Sequence, residues 1–331
     1  MAANLTPQYH EAEARYRGAN SPEEELAALE EMWRELPKHK SSEKIQGELK
    51  KKLSVARKAL QAGGKRAASH TDPFAIPKSG VGQVVLIGAP NVGKSSIVGG
   101  LTHAHVHIAD FPFATTLPVP GMVSYEDVKI ELIDTPPVTA EHVPAGFPGL
   151  WRSVDAIIVV ADLSSDSVLD DAEMCLRHLS ERRIELTQGR RRIPDGENTT
   201  LQVPGLVLAN KTDAPSANDN LALLRDLLSS RVRIEPLSTR DPERMARIPR
   251  LLFELVHVIR VYAKPPGRKP DLAEPFALPE GSDIHALAHR VHRGLEHRIR
   301  SARIWGSGVA DGQNVQLDHI LQDKDVVELH A

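Results

Sequence analysis

The segment Gly88-Ala89-Pro90-Asn91-Val92-Gly93-Lys94-Ser95 constrains this chain more than any other. It satisfies Gly-x-x-x-x-Gly-Lys-Ser at every fixed position, with the apolar run Val84–Ile87 ahead of it and a helical stretch, Ser96–Leu101, behind it. A strand that turns through glycines into a helix lets backbone N–H groups wrap a phosphate without Cβ clashes. The helix N-terminus adds its partial positive charge. In that setting Lys94 reaches the β- and γ-phosphates and the Ser95 hydroxyl ligates Mg²⁺. Gly88, Ala89, Pro90, Asn91, Val92 and Gly93, with Ser96, complete the phosphate site.

The surrounding pattern agrees with a P-loop fold. Between about residues 78 and 250, short Val/Ile-rich runs alternate with helical stretches: Gln83–Ile87, Val128–Ile133, Ala156–Ala161, Leu206–Ala209 and Arg233–Leu237. That alternation predicts a doubly wound α/β sheet. The chain divides into an N-terminal helical segment (1–70), the nucleotide-binding domain (71–256) and a C-terminal domain (257–331). The last reads as strand (Val258–Tyr262), loop, helix (Asp283–Arg298), strand (Ala302–Trp305) and strand (Asp325–Leu329), an order that suits a small α+β sheet with a helix laid across it.

A second motif narrows the ligand. Asn210-Lys211-Thr212-Asp213 directly follows the run Leu206–Ala209, 115 positions after Ser95. A carboxylate at Asp213 accepts both N1–H and N2–H₂ of guanine, a donor pair adenine lacks, and paired polar groups discriminate steeply. Ser238-Thr239, after the last strand of this zone, can offer backbone groups to the guanine O6. Asp134, in Asp134-Thr135-Pro136-Pro137, would hold Mg²⁺ through water. Thr115 can add a hydroxyl to the metal and a backbone group near the γ-phosphate. Lys94, Thr115 and Asp134 are thus the expected catalytic and switch residues.

These motifs, with Ile76–Val92, the Ala109–Thr115 segment ADFPFAT, Ile259–Lys264, Ala302–Gly306 and Leu317–Leu329, make the chain resemble the Obg-related GTPases, most closely the developmentally regulated GTP-binding family. The resemblance runs from about residue 38 onward. It implies a C-terminal TGS domain of β-grasp fold, GTP hydrolysis to GDP, and association with ribosomes or RNA in translation. Asn91 resembles the asparagine that helps hold K⁺ in potassium-stimulated relatives.

Two departures from the family matter. Eukaryotic members carry a long insertion before the guanine motif, where this chain has only the short basic stretch Gln188–Gly205. The family's third motif is Asp-x-Pro-Gly, whose glycine N–H contacts the γ-phosphate. Here that position is Pro137, which has no N–H. The next residue, Val138, stands where many small GTPases place a water-orienting glutamine. Slow intrinsic hydrolysis is the expectation. The rival is a nucleotide-gated RNA or ribosome adaptor with hydrolysis impaired by Pro137. A third reading is an RNA-binding module whose nucleotide is structural.

Charge and composition bound the partners. With 41 Lys plus Arg against 44 Asp plus Glu, a net of −3, the whole chain is no polycation, so polyanion contacts would rest on local patches. Residues 38–66 hold 10 Lys/Arg and 2 acids, the basic face of an expected second helix, Ser42–Ala62. It follows a first helix whose stripe is Leu26, Leu29, Met32, Trp33 and Leu36. The basic helix and the TGS domain are the expected polyanion contacts, against the plainer reading of a solvated helical hairpin. A single cysteine, Cys175, and no apolar run near the roughly 18 residues of a membrane span suggest a cytoplasmic protein without membrane or DNA partners. The histidines 103, 105 and 107 read as an exposed polar edge or loop, and 285, 289 and 292 as a solvated or RNA-facing helix face, rather than as metal ligands.

Overall fold

A computed structural model of the chain describes residues 9, 12, 15, 16, 22–36, 49, 50, 52, 53, 74–102, 117–192, 199–292, 294–306, 308 and 310–330. Contacts divide the chain into two compact units, Met1–Thr71 and Asp72–Ala331.

In the first unit, helix α1 (Pro22–Glu35) buries Leu29 and Met32, and Leu36 just beyond its end, with Tyr9, Ala12, Leu49 and Leu53. That is the three-and-four spacing of an amphipathic helix. Of the expected second helix only residues 49, 50, 52 and 53 are described, and they are helical. Two of its lysines lie over rings of the same unit: Lys50 Nζ is 5.6 Å from the centre of Trp33 and Lys52 Nζ is 5.0 Å from that of Tyr16.

The second unit opens with β1 (Gln83–Ile87), buried along its whole length, which leads through the glycine loop into α2 (Lys94–Leu101). There follow β2 (Val119–Tyr125), β3 (Val128–Asp134), α3 (Phe147–Ser153), β4 (Ala156–Asp162), α4 (Val168–Glu181), β5 (Ile184–Thr187), β6 (Leu201–Asn210), α5 (Ala217–Leu228), β7 (Arg233–Pro236) and α6 (Pro242–Leu255). The sheet order is β2-β3-β1-β4-β6-β5, with β7 also paired to β6. Every pairing is parallel except β2 with β3. Helices α2 and α6 pack together against β3, and α4 and α5 pack together near β4, β5 and β7. The central strands read as unbroken apolar runs because both faces are covered. Cys175 is buried on α4, as its apolar neighbours suggest.

The C-terminal part forms its own five-stranded sheet from β8 (Val258–Ala263), β9 (Phe276–Pro279), β10 (Ser301–Trp305), β11 (Gln313–Val315) and β12 (Asp325–His330), in the order β11-β10-β12-β8-β9. Helix α7 (Ile284–Val291) buries Ile284, Leu287 and Ala288 with Ile259, Val261, Ile304 and Val327. This helix is shorter than the expected Asp283–Arg298. His292 takes an extended backbone (φ −158°, ψ 131°) and Gly294 a left-handed one (φ 87°), so the chain leaves the helix and makes only a short 3₁₀ turn at Leu295–His297.

Arg260 on β8 links this sheet to the turn between β2 and β3. Its side chain is only 2% exposed. It donates from Nη1 to Glu126 Oε2 (2.5 Å) and Asp127 Oδ1 (2.8 Å), and from Nη2 to Asp323 Oδ2 (2.7 Å). Its guanidinium lies 4.7 Å from the ring centre of Phe253 on α6. The Tyr262 hydroxyl donates to Asp127 Oδ2, and Lys324 pairs with Glu126 at 2.9 Å.

Candidate functional site

The parallel strands β1, β3, β4 and β6 end on the same side of the sheet, so the residues leaving them meet. Open α/β sheets bind ligands at that edge. Gly88 follows β1, Asp134 closes β3, Asp162 closes β4, Asn210 closes β6, and Ser238 comes two residues after β7.

The loop from Gly88 to Ser95 needs its glycines. Gly93 is left-handed (φ 98°), and a Cβ there would stand 2.3 Å from Asn210 Nδ2. A Cβ at Gly88 would stand 2.6 Å from the Val160 carbonyl oxygen. Asn91 is also left-handed (φ 60°) and exposed. Lys94 is buried and donates from Nζ to the carbonyls of Gly88 and Ala89, both at 3.0 Å. Burial lowers its pKa to about 8, against the opposing pull of Asp134. Its ammonium thus sits inside the loop, solvated by two carbonyl dipoles, with no carboxylate paired to it among the described residues.

Ser95 Oγ donates to Asp134 Oδ2 at 2.6 Å, which places a hydroxyl and a wholly buried carboxylate side by side. Thr135 Oγ1 donates to the Leu86 carbonyl at 2.5 Å. Beyond it Pro136 and Pro137 are buried, and the backbone N–H of Val138 donates to the Gly88 carbonyl at 3.0 Å. Thr115 lies outside the described residues.

Asn210 Nδ2 donates to the Val92 carbonyl at 2.9 Å, tying the end of β6 to the glycine loop. Lys211, left-handed at φ 65°, pairs with Asp162 Oδ2 at 2.5 Å. Asp213 accepts from Ser238 Oγ at Oδ1 (2.6 Å) and from Arg240 Nη1 at Oδ2 (3.1 Å). The Ser238 hydroxyl, a backbone N–H and the Arg240 charge hold its carboxyl below the usual aspartate value. Thr239 sits between these two partners, half-buried.

The structure thus brings together Gly88–Ser96, Asp134, Asn210, Lys211, Asp213, Ser238 and Thr239. It adds two residues that sequence reasoning missed. Asp162 is the polar residue that closes the apolar run of β4, and Arg240 directly follows Ser238-Thr239; each is conspicuous only once its partner is near. The histidines 103, 105 and 107 lie outside the described residues, and His292 falls off the helix that carries His285 and His289. Among the described residues no group of three His, Cys, Asp or Glu side chains is placed to hold a metal ion.

The family model for 50S ribosome-binding GTPases matches residues 83–189, and the TGS domain model matches residues 259–331. An uncharacterised GTP-binding protein of Methanocaldococcus jannaschii is 26% identical, over 93% of this chain and 92% of its own length. Developmentally-regulated G-protein 1 of Arabidopsis thaliana is 26% identical over 92% and 90%. Human developmentally-regulated GTP-binding protein 2 is 24% identical over 92% and 98%. Among solved structures, NFeoB from S. thermophilus bound to GDP·AlF₄⁻ and K⁺ aligns with a TM-score of 0.39 at 16% identity. That alignment covers 53% of this chain and 62% of that one, a likeness too slight to carry weight.

Proposed function

We propose that this relative of the developmentally regulated GTP-binding proteins, built as a GTPase domain followed by a TGS domain, binds guanine nucleotide and hydrolyses GTP slowly. The bond from Asn210 Nδ2 to the Val92 carbonyl carries the reading, because it sets the base-reading motif against the phosphate loop. Phosphates would lie along the backbone of Gly88–Ser96, with Lys94 supplying the charge. Guanine would be read by Asp213, flanked by Lys211 and the Ser238–Thr239 turn.

Magnesium fits the residues present. A hard divalent cation takes oxygen donors, and the Ser95 hydroxyl and the Asp134 carboxylate are adjacent oxygens. Those two, with Thr115, would hold it. When bound, the ion neutralises charge on the phosphates as the terminal P–O bond breaks. Asn91 is our candidate contact for K⁺.

Slow turnover follows from what stands beside the phosphate loop. Val138 is buried and apolar, so it orients no water. Pro137 offers no N–H to a γ-phosphate. Unassisted GTPases already turn over at only about 10⁻⁴ s⁻¹. A second reading, a nucleotide-gated adaptor without effective turnover, is favoured by the same proline together with the bond from Val138 to Gly88. In either case we place the protein in the cytoplasm, at a ribosome or RNA, reached through the basic N-terminal segment and the TGS domain. Among the described residues no helix is long and apolar enough to cross a membrane.

The test is binding of GDP and ADP, followed by multiple-turnover GTP hydrolysis in KCl and in NaCl, with and without ribosomes. Preference for GDP and measurable phosphate release support the GTPase. Tight binding with no release under any condition leaves the adaptor. Equal binding of GDP and ADP removes both.

A further inference from the structure

Asp213 does not present two open oxygens. Ser238 holds one and Arg240 the other, and the two partners differ in kind. Ser238 is 2% exposed and its oxygen also accepts the backbone N–H of Arg240 at 3.1 Å, so the hydroxyl is a fixture of the fold. The Arg240 side chain is 85% exposed and reaches Asp213 on a flexible stem. One oxygen is therefore set by a buried group and the other by a movable charge.

We infer that Arg240 relaxes the demand this site makes for the exocyclic amino group of guanine. The inference rests on the reading of Asn210–Asp213 as the base-recognition motif. Guanine brings N1–H and N2–H₂ to a carboxylate; hypoxanthine brings N1–H alone. Discrimination against such an analogue is steep when the missing donor leaves a polar group unpaired. With N1–H set at Oδ1 and the amino group at Oδ2, a base without that group leaves Oδ2 to the guanidinium that bonds it at 3.1 Å. A base with the amino group must share that oxygen or displace Arg240. Both effects narrow the gap between guanine and hypoxanthine. An exposed ion pair is weak, so its displacement does not prevent guanine from binding.

Other roles for Arg240 predict something different. A guanidinium that only screened phosphate charge, or only lay over the ring, would change affinity for both nucleotides together. The ratio of affinities therefore isolates the proposed role.

The experiment measures dissociation constants of GDP and IDP for the full chain, by competition against a fluorescent GDP, in the parent, R240A and R240K. Arg240 is exposed, so neither variant disturbs a packed core. The expected result is a rise of about threefold to fivefold in the IDP-to-GDP ratio of dissociation constants in R240A, the size of an exposed ion pair. R240K, which keeps a charge within reach of the carboxylate, stays near the parent. A ratio unchanged in R240A, with both constants moving together or not at all, overturns the inference while leaving guanine recognition intact. A parent that binds GDP no better than ADP overturns the inference and the reading beneath it together.

Discussion

The backbone N–H of Val138 donates to the carbonyl of Gly88 at 3.0 Å, so the segment that follows Asp134 is fastened to the first residue of the phosphate loop. The same carbonyl accepts from Lys94 Nζ at 3.0 Å. Between Asp134 and this fastening lie two buried prolines with fixed φ and no N–H. The segment is held at both ends and stiff in the middle, and we expect it to respond little to whether a γ-phosphate is present.

The first prediction concerns Pro137. A hydrogen bond to a charged group contributes about 1.5–3 kcal/mol. Restoring an N–H in P137G should therefore raise affinity for GTP relative to GDP by roughly 10–100-fold, at about 1.4 kcal/mol per decade. Competition titrations with both nucleotides check it. A parent that already prefers GTP strongly contradicts the argument.

Gly93 admits no side chain. G93A would combine a left-handed backbone, unfavourable by about 1–2 kcal/mol for a residue with a Cβ, with a contact 2.3 Å from Asn210 Nδ2. The expected outcome is a melting point lower by several degrees and no detectable nucleotide binding. Wild-type binding by this variant would mean that Asn210 can move freely from the loop.

Removing the guanidinium at 260 should uncouple the two sheets. R260A leaves Asp127 and Asp323 without their shared partner and uncovers the Phe253 ring. Breaking a buried ion pair by removing one side costs about 3–5 kcal/mol; the carboxylates here are partly exposed, so about 2–3 kcal/mol is expected. Denaturant unfolding should split from one transition into two, with the C-terminal sheet melting first. A single, unshifted transition would show that the apolar contacts of α6 suffice.

Acid should loosen the same junction. Hydrogen bonds from Lys324 and Arg260 hold the Glu126 carboxyl below the ordinary glutamate value. Burial pushes Asp127 up, but hydrogen bonds from the Tyr262 hydroxyl and Arg260 outweigh it and leave it below the ordinary aspartate value. For depressed carboxylates the stabilisation is complete above the unfolded-state pKa and is lost as pH falls through the lower folded-state value. The C-terminal sheet should therefore keep its docking down to about pH 4 and lose it progressively below. Proteolytic sensitivity between the sheets, followed from pH 6 to pH 3, checks this. In R260A much of that pH dependence should disappear.

The glycine-rich segment Gly88–Ser95 and the segment Asn210–Asp213 stand out in the sequence because each is a run of consecutive residues beside an apolar strand. The central strands β1, β4 and the second half of β6 were equally plain, since burial on both faces makes them uninterrupted Val/Ile/Leu runs. Strand β2 was not, because Pro120 and Gly121 break its pattern and its residues alternate between buried and exposed at the sheet margin. Strands β5, β9 and β11 were missed as well; they have four, four and three residues, but shortness alone is not the reason, since β7 also has four and is found at Arg233–Leu237. Arg240 and Arg260 were invisible for a different reason. Asp213 lies 27 positions from Arg240, and Asp323, Asp127 and Glu126 lie 63, 133 and 134 positions from Arg260; nothing local announces a pairing at such distances.

Hairpin tips are ordinarily where a polypeptide accepts a tag, a fluorophore or a new junction, because little holds them. The Glu126–Asp127 tip inverts that expectation. Arg260, Tyr262 and Lys324 grip it from a sheet whose own strands begin more than 130 positions later. An engineer choosing a place to splice this protein should leave that turn alone, since a graft there would pry apart two halves of the molecule that meet nowhere near each other along the chain.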